Sequence, residues 1–304
     1  MKLSKTQWAI IALIIANIIW GAASPIFKWS LENIQPFTLA YLRFLLGAVV
    51  LLPFCRNLFQ IERHDIGKLF LLTITGITLA IGTYFLGIQR TTSINVPIIN
   101  SCAPMFLVLF AWIFLRERPK SKMMIGLVTA LLGILIIIFQ PLLQKGLDGN
   151  VFGNILILVS TLIGIVGTVV TKEIIKKYDP IVLTFWSFLI ATVSFLPLFL
   201  YEALYHASMQ SLTLQGFTGI FYGGLFSSAL AYILFNFALK NVSASETGLF
   251  TYIDPLAAVV IAIPLLGEIP QPLYILGTIF VFAGIYIAEG RIPYHPFHKL
   301  KNAA

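Results

Sequence analysis

Charge is scarce in this chain. Asp, Glu, Lys and Arg make up 11% of 304 residues, where soluble domains carry about a quarter. An ordinary cytoplasmic enzyme is excluded, and so is disorder, because disordered chains are poor in apolar residues and 59% of these are hydrophobic. Cysteine is nearly absent. Cys55 and Cys102 fall in separate apolar segments, so neither a disulfide framework nor a metal spacing exists; they read as small packing residues. His295 and His298 make a short H-P-F-H tail, too thin for a metal site. No glycine-rich loop ends in Gly-Lys-Ser/Thr, so ATP does not drive the protein directly. H-E-x-x-H and Gly-x-Ser-x-Gly are missing as well, which removes the zinc-protease and hydrolase motifs. No enzyme activity, metal or cofactor is expected.

What the chain does have is apolar length. Mean hydropathy is +0.93. Membrane helices of ~20 residues would use ~200 residues for ten spans and leave short connections. Runs between charge and turn residues predict helices over 7–28, 37–54, 67–88, 94–115, 122–140, 151–171, 181–201, 214–238, 245–266 and 271–289. The start imitates a signal peptide, with Lys2, Lys5, an apolar stretch, then Ala22, Ala23 and Ser24. It runs on to Lys28, long enough to span, and is read as retained.

The net charge of +8 lies between the apolar runs, so it sets orientation rather than attracting nucleic acid. With the N-terminus inside, sixteen Lys and Arg fall in cytoplasmic segments and three, Lys28, Arg90 and Lys145, outside. That bias predicts an even number of spans in the plasma (inner) membrane, with both termini cytoplasmic.

The second half copies the first. Adding 151 maps Pro104 to Pro255, Glu117 to Glu268, Pro119 to Pro270, Gly126 to Gly277 and Gly133 to Gly284. Earlier in each half, adding 144 maps Lys28 to Lys172, Pro36 to Pro180 and Pro53 to Pro197. The seven-residue difference is an insertion between the seventh and eighth helices. The units are 1–145 and 146–304, the second ending in a short basic tail. Five helices per unit is odd, so the second unit enters the membrane inverted, the arrangement that lets a protein open to either side of a midplane site. The fold class is therefore all-α: a polytopic membrane protein of ten transmembrane helices in two inverted five-helix repeats.

Helix 1 reads N-I-I-W-G-A-A-S-P-I-F-K, Asn17 to Lys28, and the next carries Y-L-R-F, Tyr41 to Phe44. Each half ends with Pro, a dozen apolar residues, then R-E-R-P (Arg116–Pro119) or G-E-I-P (Gly267–Pro270). In order, spacing and duplication these resemble the ten-helix EamA family of the drug/metabolite transporter superfamily, over nearly the whole length. One departure is Gly164 where the first unit has Trp20. The resemblance implies a secondary transporter, often an exporter of amino acids, metabolites or drugs, with a cavity between the halves. It does not name a substrate.

Ionisable groups within hydrocarbon are costly and default to function. Arg43 stands about 10 Å along its helix from Pro36, and Asp254 roughly 12 Å from Glu246, at 1.5 Å per residue. Both fall near the midplane, where they either pair or hold solute. A carboxyl in low dielectric resists ionisation, which suits proton coupling. The competing reading of Asp254 is local satisfaction of backbone groups freed by Pro255. Ser228, Tyr232, Asn236 and Lys240 share one helix face at i+4 steps. The expected substrate-binding set is Trp20, Arg43, Tyr84, Asn100, Tyr232, Asn236 and Asp254, with Asp254 and Glu246 in coupling or gating. Asn17 is a further buried polar candidate. Glu117 and Glu268 read as structural, capping neighbouring backbone or pairing with Arg116 or Arg118, and Lys28 as an interfacial anchor. The partners expected are a small-molecule substrate, the lipid bilayer and, through Asp254, protons. A monomer suffices; a dimer stays open. The alternative class is a membrane-embedded enzyme acting on lipid or a lipid-linked substrate, which would need converging acid, base or metal groups.

Overall fold

A computed structural model describes residues 4–55, 61–103, 105–106, 121–145, 149–205, 213–242 and 250–289. Helix accounts for the regular structure of the described residues, and no strand occurs among them. In chain order the helices are α1 (Lys5–Ser30), α2 (Pro36–Leu51), α3 (Ile66–Thr73), α4 (Ala80–Ile88), α5 (Asn95–Asn100), α6 (Ser121–Lys145), α7 (Gly149–Ile174), α8 (Pro180–Tyr205), α9 (Leu214–Phe221), α10 (Ala231–Asn241), α11 (Ile253–Leu266) and α12 (Pro272–Glu289). α3 and α4 are one rod, joined by a π-helical segment, Ile74–Leu79; α9 and α10 are joined likewise by Tyr222–Leu230.

Seven of these rods are long and apolar enough to cross a membrane, and Phe250–Leu266 and Pro272–Ile287 are shorter apolar helices. α5 starts where a further span is expected at 94–115, and most of that span lies outside the described residues. Large apolar side chains such as Val49, Phe70, Leu132, Phe217, Val260 and Tyr286 point outward and exposed, as a lipid-facing surface requires.

Local chemistry sets the helix ends. Ser4 and Gln7 form a capping box on α1: Gln7 N donates to Ser4 Oγ at 3.2 Å and Ser4 N to Gln7 Oε1 at 2.7 Å. Pro36 and Pro180, repeat mates in sequence, each open a helix, where a missing N–H costs nothing. Glu202 of α8 accepts from Phe37 N at 3.1 Å and Thr38 N at 2.6 Å, supplying partners to the first turn of α2.

Prolines inside spans free a carbonyl four residues back. Two of these carbonyls have a polar side chain waiting. Pro25 frees Gly21 O, which accepts from Ser24 Oγ at 3.2 Å. Pro141 frees Ile137 O, which accepts from Asn154 Nδ2 at 3.2 Å.

Packing follows the duplication. α1 lies against α10 and α11; α7 lies against α4 and α5, their counterparts from the other half. α2 pairs with α8, and α6 with α12. A Cβ on Gly133 would lie 2.6 Å from Gly277 O, and one on Gly284 would strike Gly126 O. Adding 151 converts Gly126 and Gly133 into Gly277 and Gly284, so each contact is the image of the other. The residue numbers rise along α6 as they fall along α12, so these equivalent helices run antiparallel. The two halves are thus inverted. The π segments obey the same arithmetic: Ile74–Leu79 plus 151 is 225–230, within Tyr222–Leu230.

Candidate functional site

Trp20, Arg43, Tyr84, Tyr232 and Asp254 stand on α1, α2, α4, α10 and α11, helices that pack on one another. Trp20 lies near the middle of α1. Its indole Nε1–H donates to Ser227 O at 3.0 Å. The π segment explains why that carbonyl is free to accept: the amide of Ala231 bonds Phe226 O and Ser228 O and passes over Ser227 O. The Trp20 ring meets Tyr232 edge-on at 5.4 Å and Phe235 at 5.1 Å. Returning the contact, the Tyr222 hydroxyl donates to Ile19 O at 2.7 Å.

Arg43 is 2% exposed. Nε donates to Ser228 Oγ at 3.0 Å and Nη2 to Ser227 Oγ at 3.4 Å. The guanidinium carbon sits 4.8 Å from the ring centres of Phe27 and Phe44 and 5.7 Å from that of Phe85. Among the described residues no carboxylate lies within ion-pair distance of it. Arg43 and Asp254 therefore do not pair. Tyr84 packs against Phe85 at 5.5 Å, and Tyr232 meets Phe188 edge-on at 5.2 Å.

Asp254 opens α11. A side chain at Gly21 would collide with the Asp254 backbone and Ala257, so the glycine lets α1 and α11 touch at the level of Trp20. Asp254 Oδ1 is sealed and has no hydrogen-bond partner. An uncompensated buried carboxyl oxygen is expensive, although the helix N-terminus favours negative charge there.

The remaining polar candidates have partners as follows. Asn100 accepts from Thr161 Oγ1 at 2.6 Å, tying α5 to α7. Asn236 is buried and donates to Thr184 Oγ1 at 2.7 Å, tying α10 to α8. Asn17 donates to Leu13 O at 2.7 Å within α1, and its Oδ1 has no partner. Glu246 and Glu117 lie outside the described residues.

Two polar clusters close the ends of the helix packing. At one end Gly267, in the left-handed conformation at φ 65°, terminates α11 and delivers Glu268 to the turn before α5. Glu268 accepts from Ser93 N at 2.8 Å, Ser93 Oγ at 2.6 Å and Ile94 N at 3.3 Å. It also pairs with Lys28 at 2.9 Å. The cap expected of Glu268 is present, and Lys28, read as an interfacial anchor, is an ion-pair partner that also donates to Thr91 O. Thr91, Asn95 and Asn154 continue this network.

At the other end buried Asp65 accepts from Tyr178 OH at 2.6 Å and Lys177 Nζ at 3.0 Å, and Lys240 Nζ donates to Tyr178 O at 3.2 Å. Burial, and then the bond it donates to Asp65, push the Tyr178 phenol above its ordinary pKa. Sequence reasoning missed this cluster; a lone Asp in a basic loop gave no sign of burial. Glu62, His64 and Asp65 bring ligand atoms within 4.8 Å of one another; Lys177 and the Tyr178 phenol both bond Asp65 Oδ2, and His64 Nε2 lies 3.2 Å from Oδ1.

Residues 7–139 and 151–289 each match the EamA-like transporter family. Relatives include an uncharacterized transporter of Archaeoglobus fulgidus, 25% identical over 95% of this chain and 98% of its own length. The uncharacterized transporter YdfC of Bacillus subtilis is 30% identical over 88% and 86%. A probable terminal-alkyne amino-acid exporter of Streptantibioticus cattleyicolor is 24% identical over 96% and 95%. A chain of known crystal structure aligns with a TM-score of 0.63 at 16% identity, covering 95% of this chain and 96% of that one, and shares the fold. Both family matches, one in each inverted half, lead to one conclusion: this chain is an integral membrane transporter and belongs to the EamA-like transporter family.

Proposed function

We propose that the protein is a secondary transporter that exports a small organic solute across the plasma membrane by alternating access, with both termini cytoplasmic. One observation carries this reading. Buried Arg43 and half-buried Asp254, whose Oδ1 is sealed, come from different inverted halves and form no ion pair. A structural ion pair would have closed; here neither group has a counter-ion within ion-pair distance among the described residues, and a solute or proton supplies what is missing. The aromatic surroundings, Trp20, Tyr84 and Tyr232, suit an amino acid or another amphiphilic solute. Export is supported by the name of one relative, an amino-acid exporter. Asp254 is the coupling group, taking up a proton on one side and releasing it on the other.

The test is efflux from proteoliposomes loaded with mixed amino acids and small metabolites, followed by mass spectrometry with and without an imposed pH gradient. Protein-dependent loss of one chemical class, accelerated by the gradient, is expected. Verified folded protein that moves nothing in either gradient direction would overturn the proposal.

A further inference from the structure

Resting on that transport reading, we infer that the solute carries a carboxylate, and that its subsite is built from Arg43, Tyr84 and Tyr232 and set by Ser227 and Ser228 of the second π segment. A guanidinium offers five N–H donors. Ser228 takes Nε–H and Ser227 one Nη2–H. Nη1 makes no hydrogen bond. The Tyr84 and Tyr232 hydroxyls make none either; Tyr84 packs on Phe85, which flanks Arg43, and Tyr232 packs on Phe188, which meets Phe44 beside Arg43. A buried cation with an unused Nη1 and two phenols without a hydrogen bond thus share one aromatic cluster, and no carboxylate lies within ion-pair distance of the cation among the described residues.

The geometry selects one ligand chemistry. Phe27, Phe44 and Phe85 surround the guanidinium, and the two serines take Nε and Nη2, so Nη1 is the end whose N–H groups stay unused. A carboxylate accepts from that end and from both phenols, and neutralises a buried cation. An amide accepts the same bonds without neutralising it, and an amine is repelled. Asp254 lies beyond ion-pair distance and cannot act as the internal counter-ion.

The serines are positioning residues. Consecutive residues on an α-helix point apart, yet Ser227 and Ser228 reach one guanidinium from the π segment. Ser227 also accepts from Trp20 through its carbonyl, so a single residue joins the cation to the ring beside the solute.

The experiment uses the purified full chain in lipid nanodiscs at constant ionic strength. The probes are aliphatic and aromatic carboxylates, each with its own primary amide and amine. The expected result is a thermal midpoint raised by at least one carboxylate and not by its amide or amine. Tyr84→Phe with Tyr232→Phe, which keeps both rings, is expected to weaken that carboxylate at least tenfold. Ser227→Ala with Ser228→Ala is expected to weaken it about tenfold and to narrow the preference for carboxylate over amide. Arg43→Gln is expected to abolish it. Equal stabilisation by amide or amine, a carboxylate effect that survives both the tyrosine variant and Arg43→Gln, or no carboxylate effect at all would overturn the subsite. This failure is distinct from failure of the transport reading. Flux of a neutral or cationic solute without carboxylate binding sinks the subsite alone, whereas carboxylate binding without flux sinks transport alone.

Discussion

Gly133 of α6 and Gly277 of α12 pack backbone to backbone, and a Cβ on either would lie within 3 Å of the other's carbonyl oxygen, at 2.6 and 2.9 Å. Small residues let membrane helices approach this closely, which gains van der Waals contact where no hydrophobic effect acts between helices. The contact recurs at Gly126 and Gly284, so two symmetric points hold the inverted halves together.

Gly133→Val should therefore lower the unfolding free energy by about 1–3 kcal/mol, the usual cost of overpacking. Gly67→Val, where a Cβ meets nothing within 4 Å, should stay within about 0.5 kcal/mol of the parent. Thermal unfolding of both in matched detergent checks this. Equal midpoints would mean that the α6–α12 seam yields without strain.

Asn154 and Pro141 should be coupled. Asn154 Nδ2 serves the Ile137 carbonyl that Pro141 leaves without its amide. Asn154→Ala strands that carbonyl and also Thr91 and Asn95, at a cost of about 1–3 kcal/mol. Pro141→Ala returns the missing N–H. The double variant should recover about 1 kcal/mol relative to the sum of the singles, which a double-mutant cycle reads directly. Strict additivity would show that the carbonyl finds another donor.

Asp254→Asn keeps shape and removes the ionisable group. Folding should be retained within about 1 kcal/mol, since Oδ1 has no partner to lose. Efflux driven by a pH gradient should fall to the rate seen without one. Unchanged acceleration by the gradient in folded Asp254→Asn protein would remove Asp254 from coupling.

Much of this molecule was readable before any coordinates. Hydropathy and turn residues gave the rods because lipid admits only long apolar helices. The constant offset gave the duplication because glycines and prolines at helix contacts and helix starts tolerate little change. Arg43 and Asp254 stood out because charge is so rare between apolar residues. The partners of individual polar groups were not readable. Asn236 shares a face with Tyr232 in sequence, yet it is spent on Thr184, because helix rotation against α8 decides which neighbour it meets. The π segments left no trace either: a shift from i+4 to i+5 bonding changes no residue type, only which carbonyl is passed over. Ser227 accordingly had no sequence signal at all, and Lys28 looked like an interfacial anchor until Glu268 came within 2.9 Å of it.

The Lys28–Glu268 contact makes a prediction about order rather than size. If attraction between the charges were its main content, exchanging them in Lys28→Glu with Glu268→Lys would restore stability. The coordinates argue otherwise. Glu268 also accepts from Ser93 N, Ser93 Oγ and Ile94 N, and a lysine has three donors and no acceptor. The exchanged variant would turn an ammonium toward two backbone amides and leave them unmet at about 1–3 kcal/mol. Lys28→Gln should cost least, since it leaves the cap intact and the pair is partly exposed. Glu268→Gln should cost more, keeping one acceptor oxygen for the turn before α5. Glu268→Ala and the exchanged pair should cost most. Unfolding free energies of the four variants give the order. An exchanged pair as stable as the parent would mean that the charges, and not the backbone amides, hold this end of the bundle shut.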